Sequence, residues 1–307
     1  MFKIGHAPII YALTVLFLLP NTDMGRAISE EASNSRNHWA FSPIKNPLPP
    51  EFQQDDWAQT NIDRFILRKI KDTKLSPSKE APRETLIRRI YFDLLGHPPK
   101  YSEIESFIKN PAPNAYINLV DNLLSSPEFG EKWARHWLDI ARYADTKGYV
   151  FQESREYPYA YSYRDWVINS LNQDLPYNEF IIYQLAADRI IKNNENKKNL
   201  AAMGFLTVGR RFLNRSPDII DDRMDVTFRG LMGLTVACSR CHDHKYDPIP
   251  ISDYYSLYGV FDSSEEPSEL PLLGPPNDLE AYNSFKRIID SKQSDIDSYL
   301  EKRSKEL

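Results

Sequence analysis

Cys238-Ser239-Arg240-Cys241-His242 sets two thiols three positions apart, with an imidazole directly after the second. Thiols at this spacing reach the two vinyl groups of one haem as thioethers, and the next histidine meets the iron from the proximal side. That is the chemistry of c-type haem attachment. The chain has 2 cysteines and 6 histidines in 307 residues, and random placement gives this arrangement about once in 8,000 trials. The competing use of the same residues is a Cys238–Cys241 disulfide, redox-active or structural, with His242 merely polar. No other cysteine can pair with either one, so the two are not a folding framework. Zinc or another metal held by Cys238, Cys241, His242 and His244 is a weaker alternative. Structural zinc sites draw their ligands from two separated segments, and adjacent Cys241 and His242 converge poorly on one ion.

An iron held by His242 needs a sixth ligand from elsewhere, or keeps that position open. His136 is the best histidine for it. It falls with Trp133, Trp137, Ile140 and Ala144 on an apolar helical face, so its ring is expected to point inward and share a pocket with the 238–244 turn. The alternative is a core histidine bonded to a carboxylate such as Asp139. Met203, Met224 and Met232 are further candidates, though methionine more often packs than ligates. Leu231, Met232, Leu234 and Val236 offer an apolar wall for a haem edge, or ordinary core. Asp221, Asp222 and Asp225, with Asp243 and Asp247, are the carboxylates from which a metal or general-base cluster would be built, or else caps and solvated charges.

The elements that must position these groups read as helices. Ile62, Phe65, Ile66 and Ile70 share one helical face, as do Leu86, Ile87, Ile90, Tyr91, Leu94 and Leu95 before a stop at Gly96. Ser102-Glu103-Ile104-Glu105 matches a capping box. Further helices are expected over 114–125 and 129–145, from the tyrosine-rich segment 157–163 onward, after Pro176, and from 220 to 237 straight into the Cys-x-x-Cys-His turn. Arg135, Asp139, Arg142 and Asp145 are spaced for a salt-bridged helix face. No run of period-two alternation stands out. The expected fold is mainly α: an irregular helical domain with long loops and an extended C-terminal helix.

Lys3, the apolar run from Ala7 to Pro20 and Gly25-Arg26-Ala27 read as a signal peptide over 1–27. The run is too short to span a bilayer comfortably, so no stable membrane span is expected after cleavage. The protein is therefore expected in the periplasm or outside the cell, where haem is attached to such motifs in bacteria. A proline-rich extended arm follows over 28–60, then the helical domain over 61–262, a linker over 263–276, and a charged amphipathic tail over 277–307. The tail reads as a docking helix, a coiled-coil arm or the stump of a longer chain. A net charge of −5 argues against nucleic acid as a partner.

Several phrases carry a resemblance. They are His38-Trp39-Ala40-Phe41, Asn61-Ile62-Asp63-Arg64-Phe65-Ile66, the stretch Ile87 to Gly96, Gly130 to Asp139, Ala141 to Asp145, and Gly233 to Lys245 with Asp247-Pro248-Ile249. Over about residues 38 to 262 the chain resembles the second planctomycete-specific cytochrome-like domain, a family of unknown function in exported bacterial proteins. The resemblance implies a large secreted protein, often with another cytochrome-like module ahead and a second domain of unknown function behind. Neither is found here, which suggests a truncated or minimal version.

Together these observations lead to one expectation and one rival. The expectation is an exported c-type haem protein in electron transfer or coupled to a redox enzyme, with a redox partner protein. The rival is a secreted metal-dependent hydrolase or carbohydrate-processing accessory with an Asp/His/Cys site. A third, plainer possibility is an interaction module that uses the aromatic segment 157–163.

Overall fold

The computed structural model describes residues 38–53, 56–147, 156–191, 194–267 and 269–306. The expected signal segment 1–27 and the start of the arm lie outside the described residues. Among the described residues there are 11 α-helices, short 3-10 turns and no strand, so the fold is mainly α. An isolated antiparallel bridge joins Thr146 to Glu156.

Helix α1 (Asn61–Asp72) opens with a capping box in which Thr60 Oγ1 accepts the Asp63 N–H and the Asp63 carboxylate accepts the Thr60 N–H at 2.8 Å. Helices α2 (Arg83–Leu94), α3 (Tyr101–Lys109) and α4 (Ala115–Leu124) enclose a first core of Ile87, Tyr91, Leu95, Phe107, Ala115 and Leu123. Helix α2 stops where the sequence says it should, at Gly96 with φ +82°. The capping box of α3 lies two residues earlier than expected, since Glu103 accepts the Lys100 N–H and the helix starts at Tyr101.

The second and largest core joins α5 (Pro127–Ile140), α6 (Ala160–Asn172) and α7 (Tyr177–Ile190) to α8 (Gly204–Thr207) and α9 (Ser216–Met232). A polar centre within it is closed on itself. Trp137 Nε1–H and the Tyr163 hydroxyl both donate to Gln184 Oε1, while Gln184 Nε2 donates to the Phe180 carbonyl. Burial pushes the Tyr163 phenol well above its usual range. Asn172 serves the N-terminus of α5, accepting the Gly130 N–H at 2.8 Å and donating to the Pro127 carbonyl at 3.1 Å.

A Cβ on Gly130 would sit 2.5 Å from Asn172 Oδ1 and 2.6 Å from the Ile168 carbonyl oxygen, which belongs to backbone. Gly130→Ala is therefore expected to force α5 and α6 apart and cost about 1–3 kcal/mol. A lowered urea midpoint at unchanged m-value is the measurement that checks it.

Three expectations are corrected. The helix foreseen over 129–145 ends at Ile140, and Arg142 takes φ +51°. Arg142 therefore joins no salt-bridged helix face. Its Nε donates to Asp222 Oδ1 at 3.0 Å, Nη2 closes a second bond to Asp222, and Nη1 donates to the Phe205 carbonyl at 2.9 Å. Gly209 lets this pair approach, since a Cβ there would meet both Arg142 Nη2 and Asp222 Oδ2 at 2.5 Å. The helix foreseen to run to 237 stops at Met232, because Gly233 adopts φ +71° and its N–H and that of Leu234 cap the carbonyls of Arg229 and Phe228. A 3-10 helix runs over Asn194–Met203.

Phe212, Leu213 and Asn214 are all left-handed, at φ +48°, +57° and +62°. Such residues cost roughly 1–2 kcal/mol each. The turn they make delivers the chain to α9. Next to it, Arg211 and Arg223 both donate to Glu266 Oε1, which ties the segment after α10 (Ile251–Asp262) to the body. Helix α11 (Leu279–Glu306) carries no buried residue.

Candidate functional site

A third core, of Ile220, Met224, Val236 and Tyr254, supports the Cys-x-x-Cys-His turn between α9 and α10. The turn is a 3-10 helix, Val236–Arg240. Cys238 lies within it, and Cys241 is the residue that ends it, at φ −112° and ψ −24°. Both cysteines are free and exposed. Between them Ser239 is buried, its hydroxyl donating to the Ile249 carbonyl at 3.1 Å, while Val236 is buried one turn earlier. The turn thus has an inner face of Val236 and Ser239 and an outer face of thiols.

His242 is exposed, and its Nδ1 lies 2.7 Å from the Asp243 carbonyl oxygen. A carbonyl only accepts, so Nδ1 carries the proton, and in the neutral ring Nε2 keeps its lone pair for a metal. This bond fixes the orientation of the ring.

His244 differs from His242 in every respect. It is 8% exposed. Its Nδ1 accepts the N–H groups of Tyr246 and Asp247 at 3.2 and 2.7 Å, so the proton sits on Nε2 and goes to Thr235 Oγ1 at 2.9 Å. Both ring nitrogens are thereby used within the protein. Sequence reasoning gave this residue only the part of a ligand in the weaker zinc alternative. The one signal for it was its place two residues after His242.

His136 lies on α5. It is exposed, with its ring 5.4 Å from that of Trp133, itself partly exposed. The inward orientation expected for it is corrected: α5 buries Gly130 and Ala134, with Ala141 buried just past its end and Trp137 and Leu138 packed beside them. That stripe runs through small residues, and His136 falls outside it. Of the apolar residues read as a haem wall or as ordinary core, Leu231 packs on the second core and Leu234 and Val236 on the third. Met232 alone of that group is left exposed. Tyr246 and Tyr255 stand exposed at the turn, with the Tyr255 hydroxyl donating to the Arg240 carbonyl at 3.1 Å.

The carboxylates near the turn are engaged one by one. Asp218 takes Arg240 and Arg215, Asp222 takes Arg142, and Asp225 takes Arg229. Asp221 accepts from the Tyr254 hydroxyl at 2.6 Å, and burial together with that carboxylate pushes the Tyr254 phenol well above its usual range. Asp243 Oδ1 accepts the Ile251 N–H at the start of α10. Among the described residues no group of 3 or more His, Cys, Asp or Glu side chains is arranged to hold a metal ion. No helix among them is long and apolar enough to cross a membrane. In the aromatic segment, Tyr163 is buried while Tyr159 and Tyr161 are exposed.

An all-helical domain that presents paired thiols and an imidazole on a short buttressed turn is what the fold and site define. Residues 61–266 match the family PSCyt2, described as a protein of unknown function (DUF1549), and the chain belongs to that family. The match runs from the first residue of α1 to Glu266, the carboxylate shared by Arg211 and Arg223. No curated protein and no solved structure matches the chain.

Proposed function

We propose that this is an exported c-type haem protein that passes electrons to or from a redox partner protein. The observation that supports it is the outer face of the 236–242 turn: two free exposed thiols three positions apart, followed by His242 with Nδ1 engaged and Nε2 open. Cys238 and Cys241 would hold the haem by thioethers, and His242 would ligate the iron. The group supplies one-electron transfer when bound. The protein's own part is to buttress the turn through Val236 and Ser239, to orient the His242 ring through the Asp243 carbonyl, and to leave the thiol face open. Tyr255, bonded to the Arg240 carbonyl, is an exposed ring at the turn. Export through the 1–27 segment would place the thiols where haem attachment occurs.

A visible spectrum tests the reading. Protein exported from a strain that matures c-type cytochromes is expected to show a sharp Soret band and split bands on reduction. His242→Ala is expected to shift the Soret position and the reduction potential while the haem stays attached. A spectrum and potential identical to those of the unaltered protein would assign the iron ligand elsewhere. Colourless protein that carries zinc would favour the rival, a metal-dependent hydrolytic site.

A further inference from the structure

We infer that His244 is a positioning residue that pre-orders Cys238 and Cys241 as a vicinal dithiol before anything is bound to them. The inference deepens the haem-attachment reading of the same turn and rests on it for its biological purpose, but its geometry stands on the polypeptide alone.

The thiols themselves are exposed and make no contact that would hold them at a fixed separation, so their register depends on the backbone of the turn. That backbone starts at Thr235, whose carbonyl accepts the Cys238 N–H at 3.0 Å and so sets the first 3-10 bond. Thr235 follows the helix stop at Gly233 and its backbone lies outside any helix, at φ −90° and ψ 64°. What fixes it is the 2.9 Å bond from His244 Nε2–H to its hydroxyl. His244 is fixed in turn from the far side of the motif. The N–H groups of Tyr246 and Asp247 bind its Nδ1, and its own N–H donates to the Ile249 carbonyl at 2.8 Å. The same Ile249 carbonyl receives the Ser239 hydroxyl between the two cysteines. One buried ring therefore closes the loop from the residue before Val236 to the residues after His242, with every polar atom of the ring used.

Histidine suits this place because it offers an acceptor and a donor at opposite edges of a rigid ring. Asparagine can supply the acceptor in place of Nδ1, but its amide N–H does not reach as far as Nε2, and glutamine reaches with its N–H but misplaces the acceptor. Losing the Thr235 bond frees the start of the 3-10 turn, and the two thiols then sample separations that one bidentate ligand cannot bridge.

Phenylarsine oxide reads this directly on full-length, reduced, haem-free protein. Two S–H groups become two As–S bonds and the arsenic oxygen leaves as water, with no change in oxidation state. The ring forms readily only when both sulfurs are already close. His244→Ala and Thr235→Val are each expected to weaken arsenical binding roughly tenfold, the effect of one lost hydrogen bond on an equilibrium constant. Thr235→Ser, which keeps the hydroxyl, is expected to bind as the unaltered protein does, and His244→Asn to fall between. Helical circular dichroism should be the same in all of them. Thr235→Val carries the test should His244→Ala fail to fold. Equal arsenical affinity in Thr235→Val and the unaltered protein, or a Thr235→Ser protein as weak as Thr235→Val, would overturn the inference. Haem-free mass in every variant and in the unaltered protein, with the arsenical contrast intact, would overturn the haem reading and leave the positioning role standing.

Discussion

Protein exported from a cell with a complete c-type maturation system should weigh one haem more than its processed polypeptide, and the Cys238→Ser, Cys241→Ser double variant should weigh no more than the polypeptide. Intact-protein mass spectrometry under denaturing conditions gives the answer, because thioethers survive denaturation and an axial bond does not. The effect is all or none. It rests on the outer face of the turn, where both sulfurs are exposed and free while the intervening Ser239 is buried. Single serine variants separate the two anchors, and each is expected to retain haem through the remaining thioether in lower yield. Unmodified mass from a strain that matures its own cytochromes would reject the proposed function outright. The exposed dithiol would then be left to disulfide or metal chemistry.

The largest effect on stability is expected at Asp222. Its carboxylate receives Arg142 from the turn after α5, with side-chain exposures of 16% and 18%. Truncation to alanine leaves a guanidinium enclosed by the Ala141 and Phe205 carbonyls without its counter-charge. Breaking an enclosed pair by removing one partner costs about 3 kcal/mol or more. For a domain of this size that lowers the melting temperature by roughly 6–12 °C. Asp225→Ala is the control on the same helix. Its partner Arg229 is more than half exposed, in an i,i+4 pair of a kind that contributes about 0.3–0.5 kcal/mol. Equal melting temperatures for the two variants would show that the Arg142–Asp222 contact does not join α5 to α9 in solution.

Much of the helical scaffold could be read from the chain alone. Periodicity with a glycine stop placed α2 and its end at Gly96, and Pro176 marked the break before α7. The thiol-imidazole turn was legible because its chemistry is written in five adjacent residues. What escaped was everything closed over distance. Arg142 looked like part of a local charge ladder, yet its partner lies 80 positions on, and helical spacing says nothing about such a pair. His136 was misplaced for a different reason. Trp133 and Ile140 weigh heavily in any hydrophobic pattern, yet both are partly exposed, while the contact face of α5 is built on Gly130 and Ala134, with Ala141 just past its end. Close helix crossing selects small residues, which carry little hydrophobic weight, so the deepest face was the least visible one. The Thr235–His244 bond escaped because it spans nine positions of irregular backbone, where no period exists to follow.

The two-arginine grip on Glu266 gives the folded unit an edge that secondary structure does not mark. Helix α10 ends at Asp262, and a fragment trimmed there would keep every helix that supports the thiol turn. It would also strip the carboxylate from Arg223, whose side chain is 11% exposed on the inner side of α9. Recombinant excision of the domain should therefore be planned by charge rather than by helix ends, with the cut placed beyond Glu266. A shorter piece would carry an intact motif on a scaffold with an orphaned cation beneath it, and any loss of haem uptake in that piece would say nothing about the motif.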